Sequence, residues 1–576
     1  MGGVDSRNGA NARGVAARAF GAERPARQPA ITAPAAQSTD HRPLTTDPCT
    51  SPWAYPNRIL AAAAWVGTAP ANVHFVQLTS FGCGPDAFII DEVGERLRRA
   101  GKSHTVLKVD DINNPGSLRL RARSLIESLA AAAPVTAPAA ESALPASPAA
   151  RPHKVAPFLA EDRRRTILIP FFSEIYSPFI PALMRLMGYK AETLPPADPE
   201  SADLGLQHAN NEICYPATLV IGDFMRALKS GRYDRREIAL GITQTGGQCR
   251  ATSYLALIKR ALLTAGYADI PVVAVGTVAG AVANDQPGFQ VKWAAHLHGL
   301  IEALLYADNI GQFFNAAAPR EREPGLAARL RDRFIAEGVA CMERGDVTGF
   351  RGLLRRAVGE FNAAVERRDC PRVGVVGEIF VKYNAAGNRN IVDWLVRQGV
   401  EPVVPPLGDF FLQEIPNRQF NRRNALARRS WTDLVDKLAY RVVRHWQNIY
   451  AEIAANFAYY RPQEDVFAKQ ESASRVVSLA AQYGEGWLIP AELASFAESG
   501  VNNAVSLQPF GCIANHLVAK GVERRIRQLY PRMNLLFLDL DGGVSEANLF
   551  NRMHFIVQNA RDEMEARRAA AFGKAA

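Results

Sequence analysis

Short runs of β-branched and other apolar residues alternate with longer amphipathic segments over most of the chain. The short runs predict buried strands, and segments with apolar residues every three to four positions predict helices. The two kinds alternate regularly from Arg163 onwards, and the alternation begins again at Arg372. This pattern predicts an α/β fold of doubly wound parallel sheets, organised as two Rossmann-like units. The predicted strands are RTILIPFF, AETLPP, EIALGITQT and IPVVAVG in the first unit, and RVGVVGEIF, EPVVPP, AVSLQP and NLLFLDLDGG in the second.

Stretches without a strand pattern divide the chain further. Residues from Ala294 to about Arg368, and those of Asn417–Gln482, predict helical insertions. An Ala/Pro-rich stretch predicts a linker, and the Ala, Arg, Pro and Gly of the first fifty residues predict disorder. The predicted organisation is a disordered tail (1–55), a truncated first module (56–130), a linker (131–160), a first α/β domain (161–290), a helical segment (291–370), a second α/β domain (371–560) and a C-terminal tail (561–576).

The chain also contains an internal repeat. Val76–Arg123 aligns without a gap with Val505–Arg552, at a constant offset of 429 residues, and 12 of the 48 aligned positions are identical. Each copy predicts a strand, a turn with the letters FGC, a helix and a second strand. A repeat of this length indicates one supersecondary unit used twice. The first copy lacks the rest of an α/β domain, so it is predicted to be a partial N-terminal module.

Composition narrows the function classes. The 67 Lys and Arg residues against 57 Asp and Glu residues give a net charge of +10. The excess is scattered arginine rather than a basic stretch interleaved with aromatics, so nucleic-acid binding is not expected. No apolar run of about 18 residues and no signal-peptide core occur, so we expect a cytoplasmic protein without a membrane span. The seven cysteines form no close pairs, which argues against a disulfide framework and a zinc ribbon.

Three of the cysteines, Cys214, Cys249 and Cys512, share a predicted structural position. Each lies where a strand or loop gives way to a helix, next to Gly or Pro, in NNEICYP, TGGQCR and QPFGC. In a doubly wound sheet such turns collect at the carboxyl edge of the strands, where ligands bind. Three thiolates from separate loops suit an iron–sulfur cluster better than zinc, whose structural sites use four ligands. The alternative for each cysteine is a small buried hydrophobe, which is the role assigned to Cys341 and Cys370.

Longer motifs around these cysteines resemble a known family. NNEICYPATLVIGDFMRALKSG, QTGGQCRATSYLALIKRAL, VGVVGEIFVKYN and QPFGCIANHLVAKGV resemble the iron–sulfur, dehydratase-like portion of the acyl-CoA dehydratase activase-related proteins. These proteins are relatives of the 2-hydroxyacyl-CoA dehydratase subunits and of the double-cubane-cluster proteins. The resemblance extends from about Asn72 to Arg561, which is nearly the whole chain apart from its tails and linker.

The resemblance implies a cofactor and partners. In the dehydratases of this superfamily each subunit holds a 4Fe–4S cluster through three cysteines, and a separate activator ATPase supplies a low-potential electron. Carried over, Cys214, Cys249 and Cys512 would hold one 4Fe–4S cluster, which in the double-cubane relatives is bridged to a second one. The chain has no P-loop and no convincing Gly-rich phosphate motif, so the ATPase would be a separate partner.

Cys83, in the first FGC copy, departs from the family pattern. No CYP-type cysteine lies upstream of it, so the first module would be completed by a companion chain that carries the missing dehydratase-like half. Cys83 would then join metal ligands of that partner in a second cluster. The open alternatives are that Cys83 completes the only cluster or that it is a vestige.

Polar residues beside the cysteines are candidates for supporting roles. Asn211, Gln244 and Arg250 could hydrogen-bond cluster sulfides or a substrate, and their alternative role is in loop and cap structure. Glu378, in VVGEIF, and Glu485, in YGEGW, lie in motif loops at the same predicted sheet edge. They are the candidate acid–base residues, and their alternative role is capping of helices.

The predicted function is that of a cluster-bearing component of an ATP-driven, low-potential electron-transfer system. It would reduce or dehydrate an acyl-CoA or a small molecule. The alternative is a non-catalytic electron-relay or assembly subunit, and a third hypothesis is an α/β binding protein whose cysteines only pack. The first two hypotheses predict an oxygen-sensitive, iron-containing protein, and the third predicts a colourless one.

Overall fold

The computed structural model describes residues 54–79, 84–109, 115–131, 154–210, 212–244, 249–276, 286–291, 293–428 and 432–575. The predicted tail before residue 54, most of the predicted linker and Cys83 lie outside these ranges. Within them the fold is mixed α/β, and all pairings between the strands of its three sheets are parallel. The predicted α/β class and the parallel arrangement of the strands are therefore confirmed.

The N-terminal module contains helices around a small parallel sheet. Its elements are α1 (Ala54–Thr68), β1 (Phe75–Thr79), α2 (Gly84–Arg99), β2 (His104–Lys108) and α3 (Pro115–Ala131). The strands β1 and β2 form a two-stranded sheet of their own. Leu60, Ile89 and Leu97 are buried in an apolar cluster that also contains residues of the domain that follows. The module is thus packed onto the first α/β domain.

The first α/β domain is built on a four-stranded parallel sheet. Its elements are β3 (Thr166–Ile169), α4 (Phe179–Leu186), β4 (Lys190–Thr193), α5 (Pro199–His208), α6 (Tyr215–Lys229), β5 (Ile238–Gln244), α7 (Tyr254–Ala265) and β6 (Val272–Gly276). The strand order is β4-β3-β5-β6. Leu168 and Leu240 enter one apolar cluster, whereas Ile167 and Ala239 enter another. Both faces of the sheet are therefore buried around β3, β5 and β6, which explains why these strands are mostly apolar, whereas β4 at the edge is polar.

Three long helices occupy most of the segment predicted to be helical. They are α8 (Trp293–Ala317), α9 (Leu326–Glu343) and α10 (Gly349–Ala364). Their apolar faces bury an aromatic cluster that includes Tyr306, Phe313, Phe334 and Phe361. In the part of the chain that the structure describes, no helix combines the length and apolar character needed to cross a membrane.

The second α/β domain has a larger number of helices around another four-stranded parallel sheet. Its elements are β7 (Arg372–Gly377), α11 (Ile379–Tyr383), α12 (Ile391–Arg397), β8 (Glu401–Val403), α13 (Gly408–Leu412), α14 (Glu414–Arg423), α15 (Thr432–Ala454), α16 (Val466–Ser474), α17 (Leu488–Glu498), β9 (Asn503–Pro509), α18 (Ile513–Val518), α19 (Glu523–Leu529), β10 (Asn534–Leu540) and α20 (Glu546–Ala575). The strand order is β10-β9-β7-β8. Residues 561–575, assigned to a separate tail from the sequence, continue α20 as a helix.

The two four-stranded sheets have the same strand order. If the strands of each sheet are numbered along the chain, both sheets have the order 2-1-3-4. The chain changes direction across the sheet between strands 1 and 3, which are β3 and β5 in one sheet and β7 and β9 in the other. Ligands of open parallel sheets bind at this switch point, outside the carboxyl ends of the strands. The shared order therefore places two equivalent crevices in one chain.

The two copies of the FGC repeat lie in different surroundings. The strand β1 pairs with β2 as β9 pairs with β10, in parallel. Val505 and Leu507 of β9 are fully buried, whereas their counterparts Val76 and Leu78 in β1 are 41% and 63% exposed. The polar side chain of Gln77 points inward between them. The first copy thus exposes an apolar strand face that is covered in the second copy.

Candidate cysteine site

Each of the three cysteines predicted to act together precedes a helix. Cys214 is the residue before α6, and Cys512 is the residue before α18. Cys249 precedes a 3₁₀ turn, Arg250–Ser253, that leads into α7. Cys249 and Cys512 follow the third strand of their sheets, at the switch point of each. The helix-start position expected from the sequence is present at all three cysteines.

Loops of both α/β domains bring the three thiols into one region. Desolvation raises the pKa of Cys249 well above its usual value, and the nearby charges of Cys512, Glu485 and Cys214 raise it further. The Sγ atom of Cys214 lies 3.1 Å from the hydroxyl of Tyr254, the first residue of α7. All five cysteines in the described part of the chain carry free thiols.

The loop that contains Gly484 lies against both domains at this site. Gly484 has a φ angle of +63°, in the left-handed region that favours glycine. A β-carbon at this position would lie 3.7 Å from Cys249 Sγ and 3.6 Å from the Cβ atom of Ala514 in α18. The YGEGW loop therefore fills the space between the Cys249 turn and the helix that begins after Cys512.

Glu378 and Glu485 lie beside the Cys512 thiol. Glu378 follows β7 and caps α11, since its carboxylate accepts the N–H of Val381 at 3.0 Å. The Glu485 carboxylate accepts the N–H of Ile379 at the same helix start. Burial and the charge of Glu485 raise the pKa of Glu378 to about 8. Burial and the charges of both glutamates raise the pKa of Cys512 to about 12. The capping role is observed for Glu378, and the acid–base role stays a prediction.

Two hydrogen-bonding partners of the thiols were not predicted from the sequence. Asn515 donates its Nδ2–H to Cys512 Sγ at 3.2 Å, and the Tyr254 hydroxyl contacts Cys214 Sγ. Both side chains are buried. Asn515 is one helical turn after Cys512, and that spacing is the signal that could have indicated it. Tyr254 has no comparable spacing signal, because it reaches Cys214 from a different helix.

Two buried lysine–carboxylate pairs, also missed from the sequence, lie behind the glutamates. Lys382 Nζ is 3.1 Å from a carboxylate oxygen of Glu492, and Lys469 pairs with Asp409. The four residues are at most 5% exposed. The charge of Lys382 lowers the pKa of Glu378 and so offsets part of the effect of burial. Lys382 stands four residues after Glu378, a spacing that places both on one face of a helix.

A cavity of about 240 Å³ adjoins this network. It lies outside the carboxyl ends of β3, β7 and β8, and Lys382 and Tyr383 contribute to its wall. In the same wall, the Tyr176 hydroxyl donates a hydrogen bond of 2.6 Å to Asp308. Burial raises the pKa of Asp308 to about 7. Lys382 therefore connects the cavity to the acidic groups around the cysteines.

Of the remaining predicted site residues, the structure describes the side chain of Gln244 only. Gln244, at the end of β5, donates its Nε2–H to the carbonyl oxygen of Thr252 at 2.8 Å, so it supports the turn that carries Cys249. Arg250 opens that turn, and its side chain is outside the described part of the chain, as are Asn211 and Cys83. The cofactor-binding and metal-binding roles of these residues stay predictions.

The chemistry of the donor groups fits an iron–sulfur cluster. Among the described residues, no three His, Cys, Asp or Glu side chains are grouped so that they could hold a metal ion. In a cluster each thiolate binds a different iron, so the ligands are spread more widely than around one ion. Burial, and after it the nearby carboxylates and thiols, raises the pKa of Cys249 and of Cys512 and so favours their protonated forms, and a cationic group would replace those protons on binding.

Comparison with protein-family models gives no match, and comparison with curated proteins gives none either. The resemblance of the cysteine motifs to the dehydratase-like proteins therefore stays a prediction. The functional interpretation depends on the residues of the site and on their geometry.

Proposed function

We propose that this chain is a cytoplasmic iron–sulfur protein of an ATP-driven, low-potential electron-transfer system that resembles 2-hydroxyacyl-CoA dehydratases with their activators. The two four-stranded sheets would be doubly wound, Rossmann-like units, and Cys214, Cys249 and Cys512 would hold a 4Fe–4S cluster where their loops meet. One observation carries the proposal: three free thiols are grouped on loops of two sheets that have the same strand order.

The chain's own residues would set the surroundings of the cofactor. When bound, a 4Fe–4S cluster with three cysteine ligands supplies one-electron transfer and one iron without a protein ligand. The hydroxyl of Tyr254 and the amide of Asn515 lie at hydrogen-bonding distance from two of the sulfur atoms, and such donors stabilise thiolates. Burial and the charge of Glu485 raise the pKa of Glu378 to about 8, which favours its protonated form and makes it the candidate proton donor.

The cavity next to Lys382 is the proposed substrate site. Its wall carries uncharged polar side chains, among them Gln312, Asn315 and Asn388. Crevices outside the carboxyl ends of parallel strands are the usual ligand sites of such sheets. The acyl group of an acyl-CoA, or a small molecule, bound there would be dehydrated or reduced next to the groups that Lys382 connects to the cysteines.

An electron-relay or assembly role is the alternative. It is favoured by the position of Cys249, which is partly exposed whereas Cys214 and Cys512 are buried. A partly exposed ligand brings a redox centre close to the surface, where another protein can exchange an electron with it. Turnover of acyl-CoA substrates by the reduced protein together with an activator ATPase would favour the enzyme, and electron transfer without turnover would favour the relay.

The exposed face of β1 supports a companion chain as a second partner. In the second domain, β9 is flanked by β7 on the edge that corresponds, in β1, to an edge with no partner strand in the described part of the chain. A strand of the companion, equivalent to β7, would add to that edge, and its helices would cover Val76 and Leu78. Cys83 would then lie next to the companion's own cluster ligands. The activator ATPase would be a further, separate partner.

Anaerobic purification tests the iron–sulfur proposal. The expected product is a brown protein with about four irons per chain, or about eight if the cluster is paired. Cys249→Ala and Cys512→Ala should lose most of the iron, whereas Cys341→Ala, a buried cysteine in α9, should keep it. Colourless protein without iron under these conditions would contradict the proposal.

The companion is tested by co-purification with a candidate chain that carries a dehydratase-like half. Leu78→Glu should weaken the complex, because it places a charge on the exposed face of β1. Leu434→Glu on α15, where the leucine is 75% exposed, should leave the complex unchanged. A complex that tolerates Leu78→Glu as well as Leu434→Glu would rule out this face as the docking surface.

A further inference from the structure

A second cavity, of about 370 Å³, lies at the opposite end of the second sheet from Cys512, and Cys370 is one of its lining residues. Residues just before β7 and β9 line it, together with one side of α20. Its wall also carries five arginines, which define what we call the arginine cavity: Arg320, Arg372, Arg461, Arg567 and Arg568.

The glutamates near the arginine cavity are already engaged. Glu401 is 2% exposed and pairs with Arg320 at 2.7 Å and with Arg461 at 2.6 Å. Glu563 pairs with Arg567 at 2.7 Å and also accepts an amide N–H from Asn503 at 2.9 Å. These two carboxylates therefore neutralise part of the positive charge of the arginines. Their oxygen atoms already interact with the partners just named.

Arg372, the first residue of β7, is left without a close carboxylate. Among the described residues no Asp or Glu oxygen lies within 4.0 Å of its guanidinium, and its hydrogen bond to the Gly500 carbonyl oxygen is long, at 3.4 Å. Burial lowers the pKa of Arg372, and the charges of Arg461, Arg567 and Arg320 add to that effect, with Glu401 opposing it. A half-buried guanidinium among like charges lacks a counter-ion.

The charge balance of the cavity is positive. Five arginines face three acids, Asp369, Glu401 and Glu563, which leaves a net charge of +2. Among the described residues, the guanidinium of Arg568 donates to the backbone carbonyl oxygen of Asp369, at 3.2 Å, and to no carboxylate. Clustered positive charge of this kind attracts anions, and the planar fork of arginine matches phosphate oxygens in pairs.

We propose that the arginine cavity is an anion site for the phosphate or pyrophosphate group of a small molecule. Arg372 and Arg568 would bind the phosphate oxygens, since their donors are the least engaged. A volume of about 370 Å³ has room for a small ligand, because pockets for such ligands begin at about 300 Å³. The arginine cavity is separate from Cys214, Cys249 and Cys512, and anion binding there does not depend on a bound cluster.

Titration calorimetry of the full chain with inorganic pyrophosphate, at constant ionic strength, tests the proposal. We expect a Kd below about 1 mM. Arg372→Gln and Arg568→Gln should each weaken binding by about tenfold or more. Arg185→Gln, which removes the same charge from an arginine that is 65% exposed, should leave binding unchanged. The hydrogen bond of Arg568 within the described part of the chain goes to a backbone carbonyl, so its variant should fold normally even if Arg372→Gln does not.

Comparison with a second ligand, ADP, identifies the source of the phosphate. Tighter binding of ADP than of pyrophosphate would assign the site to a nucleotide, and tighter binding of pyrophosphate would assign it to a compact phosphate ester or diphosphate. Absence of binding heat up to about 10 mM pyrophosphate would overturn the proposal. Equal affinities of Arg568→Gln, Arg185→Gln and the unmodified chain would overturn it as well, because binding would then be non-specific.

Discussion

A single buried lysine influences how many acidic groups near the cysteines can carry charge. Lys382 pairs with Glu492 and lowers the pKa of Glu378, while burial acts in the opposite direction. The carboxylates and thiols of the region outnumber its two buried lysines, so several of them keep protons. A metal centre bound by the thiols would replace their protons. The number of protonated groups depends on individual side chains rather than on the fold class.

Loss of Lys382 should be costly. Lys382→Met should destabilise the fold by about 3–5 kcal/mol, because Glu492 would remain buried without its partner. Arg185→Met breaks an exposed pair with Glu343 and should cost no more than about 1 kcal/mol. Chemical denaturation of both variants measures the difference. Similar small losses in the two variants would show that the Lys382 pair is accessible to water.

A buried aspartate in α6 should make stability depend on pH. Burial raises the pKa of Asp223 to about 7, and Ser201 and Arg226 offset this only in part. The folded chain then binds this proton more tightly than the unfolded chain, so the group lowers stability as pH rises towards 7 and adds no further change above it. Between about pH 5.5 and pH 8.5, Asp223→Asn should gain about 2 kcal/mol relative to the unmodified chain.

Denaturation of Asp223→Asn and the unmodified chain at the two pH values measures this gain. Asp332→Asn, at a side chain that is 64% exposed, is the control for the loss of one surface carboxylate. Its difference from the unmodified chain should be small at both pH values. If the stability difference between Asp223→Asn and the unmodified chain is the same at the two pH values, the raised pKa of Asp223 is contradicted.

At the scale of elements, the contact between α5 and α6 shows why one helix was not predicted. α5 has a polar sequence with few apolar residues, and its start is capped by Asp198. It lies close to α6 because Gly205 and Gly222 have no side chains: a β-carbon on either would overlap the backbone of the other helix. A helix held by close backbone packing has a weak signal in the apolar pattern.

Alanine substitutions of two helical glycines should have opposite effects on stability, because only one of the two glycines lies at this contact. Gly222→Ala should destabilise the fold by about 3 kcal/mol or more, since its β-carbon meets the carbonyl group of Ser201. Gly359→Ala in α10 meets nothing within 4 Å and should stabilise by about 0.5–1 kcal/mol through helix propensity. Thermal denaturation of the two variants measures these changes in stability. Stabilisation by both substitutions would contradict the close packing.

At the scale of the whole molecule, units of related topology or sequence have different surroundings. The two α/β domains share a strand order and combine their loops in one cysteine region. The N-terminal module repeats the β9–β10 unit, yet among the residues that the structure describes no equivalent of β7 pairs with β1, and one face of β1 is exposed. The difference between the copies lies in their neighbours, since the aligned residues Val76 and Val505 are the same.

Equivalent substitutions in the two copies should therefore have unequal effects. Leu78→Asp should change the stability of the isolated chain by no more than about 0.5 kcal/mol, because Leu78 is 63% exposed. Leu507→Asp should cost more than about 3 kcal/mol, because it buries an unpaired charge in the main apolar cluster. Denaturation curves of the two variants measure the contrast. A large loss in Leu78→Asp would mean that the β1 face is already covered within the chain.

The sequence by itself determined the α/β class, the positions of most strands and the helix-start positions of Cys214, Cys249 and Cys512. These features are local. Apolar periodicity depends on which residues face a core, and Gly and Pro beside a cysteine mark the end of a strand or the start of a helix. The repeat of the FGC unit is also visible without a structure, because identical residues recur at a constant offset.

Only the tertiary structure decided which of these local features meet. The common strand order, the contact of Tyr254 with Cys214, the pairing of Lys382 with Glu492 and the exposed face of β1 join residues that are distant in sequence or depend on what covers a surface. Many different packings satisfy the same apolar pattern. The choice among them depends on how complete surfaces fit together, as the glycine contact of α5 with α6 illustrates.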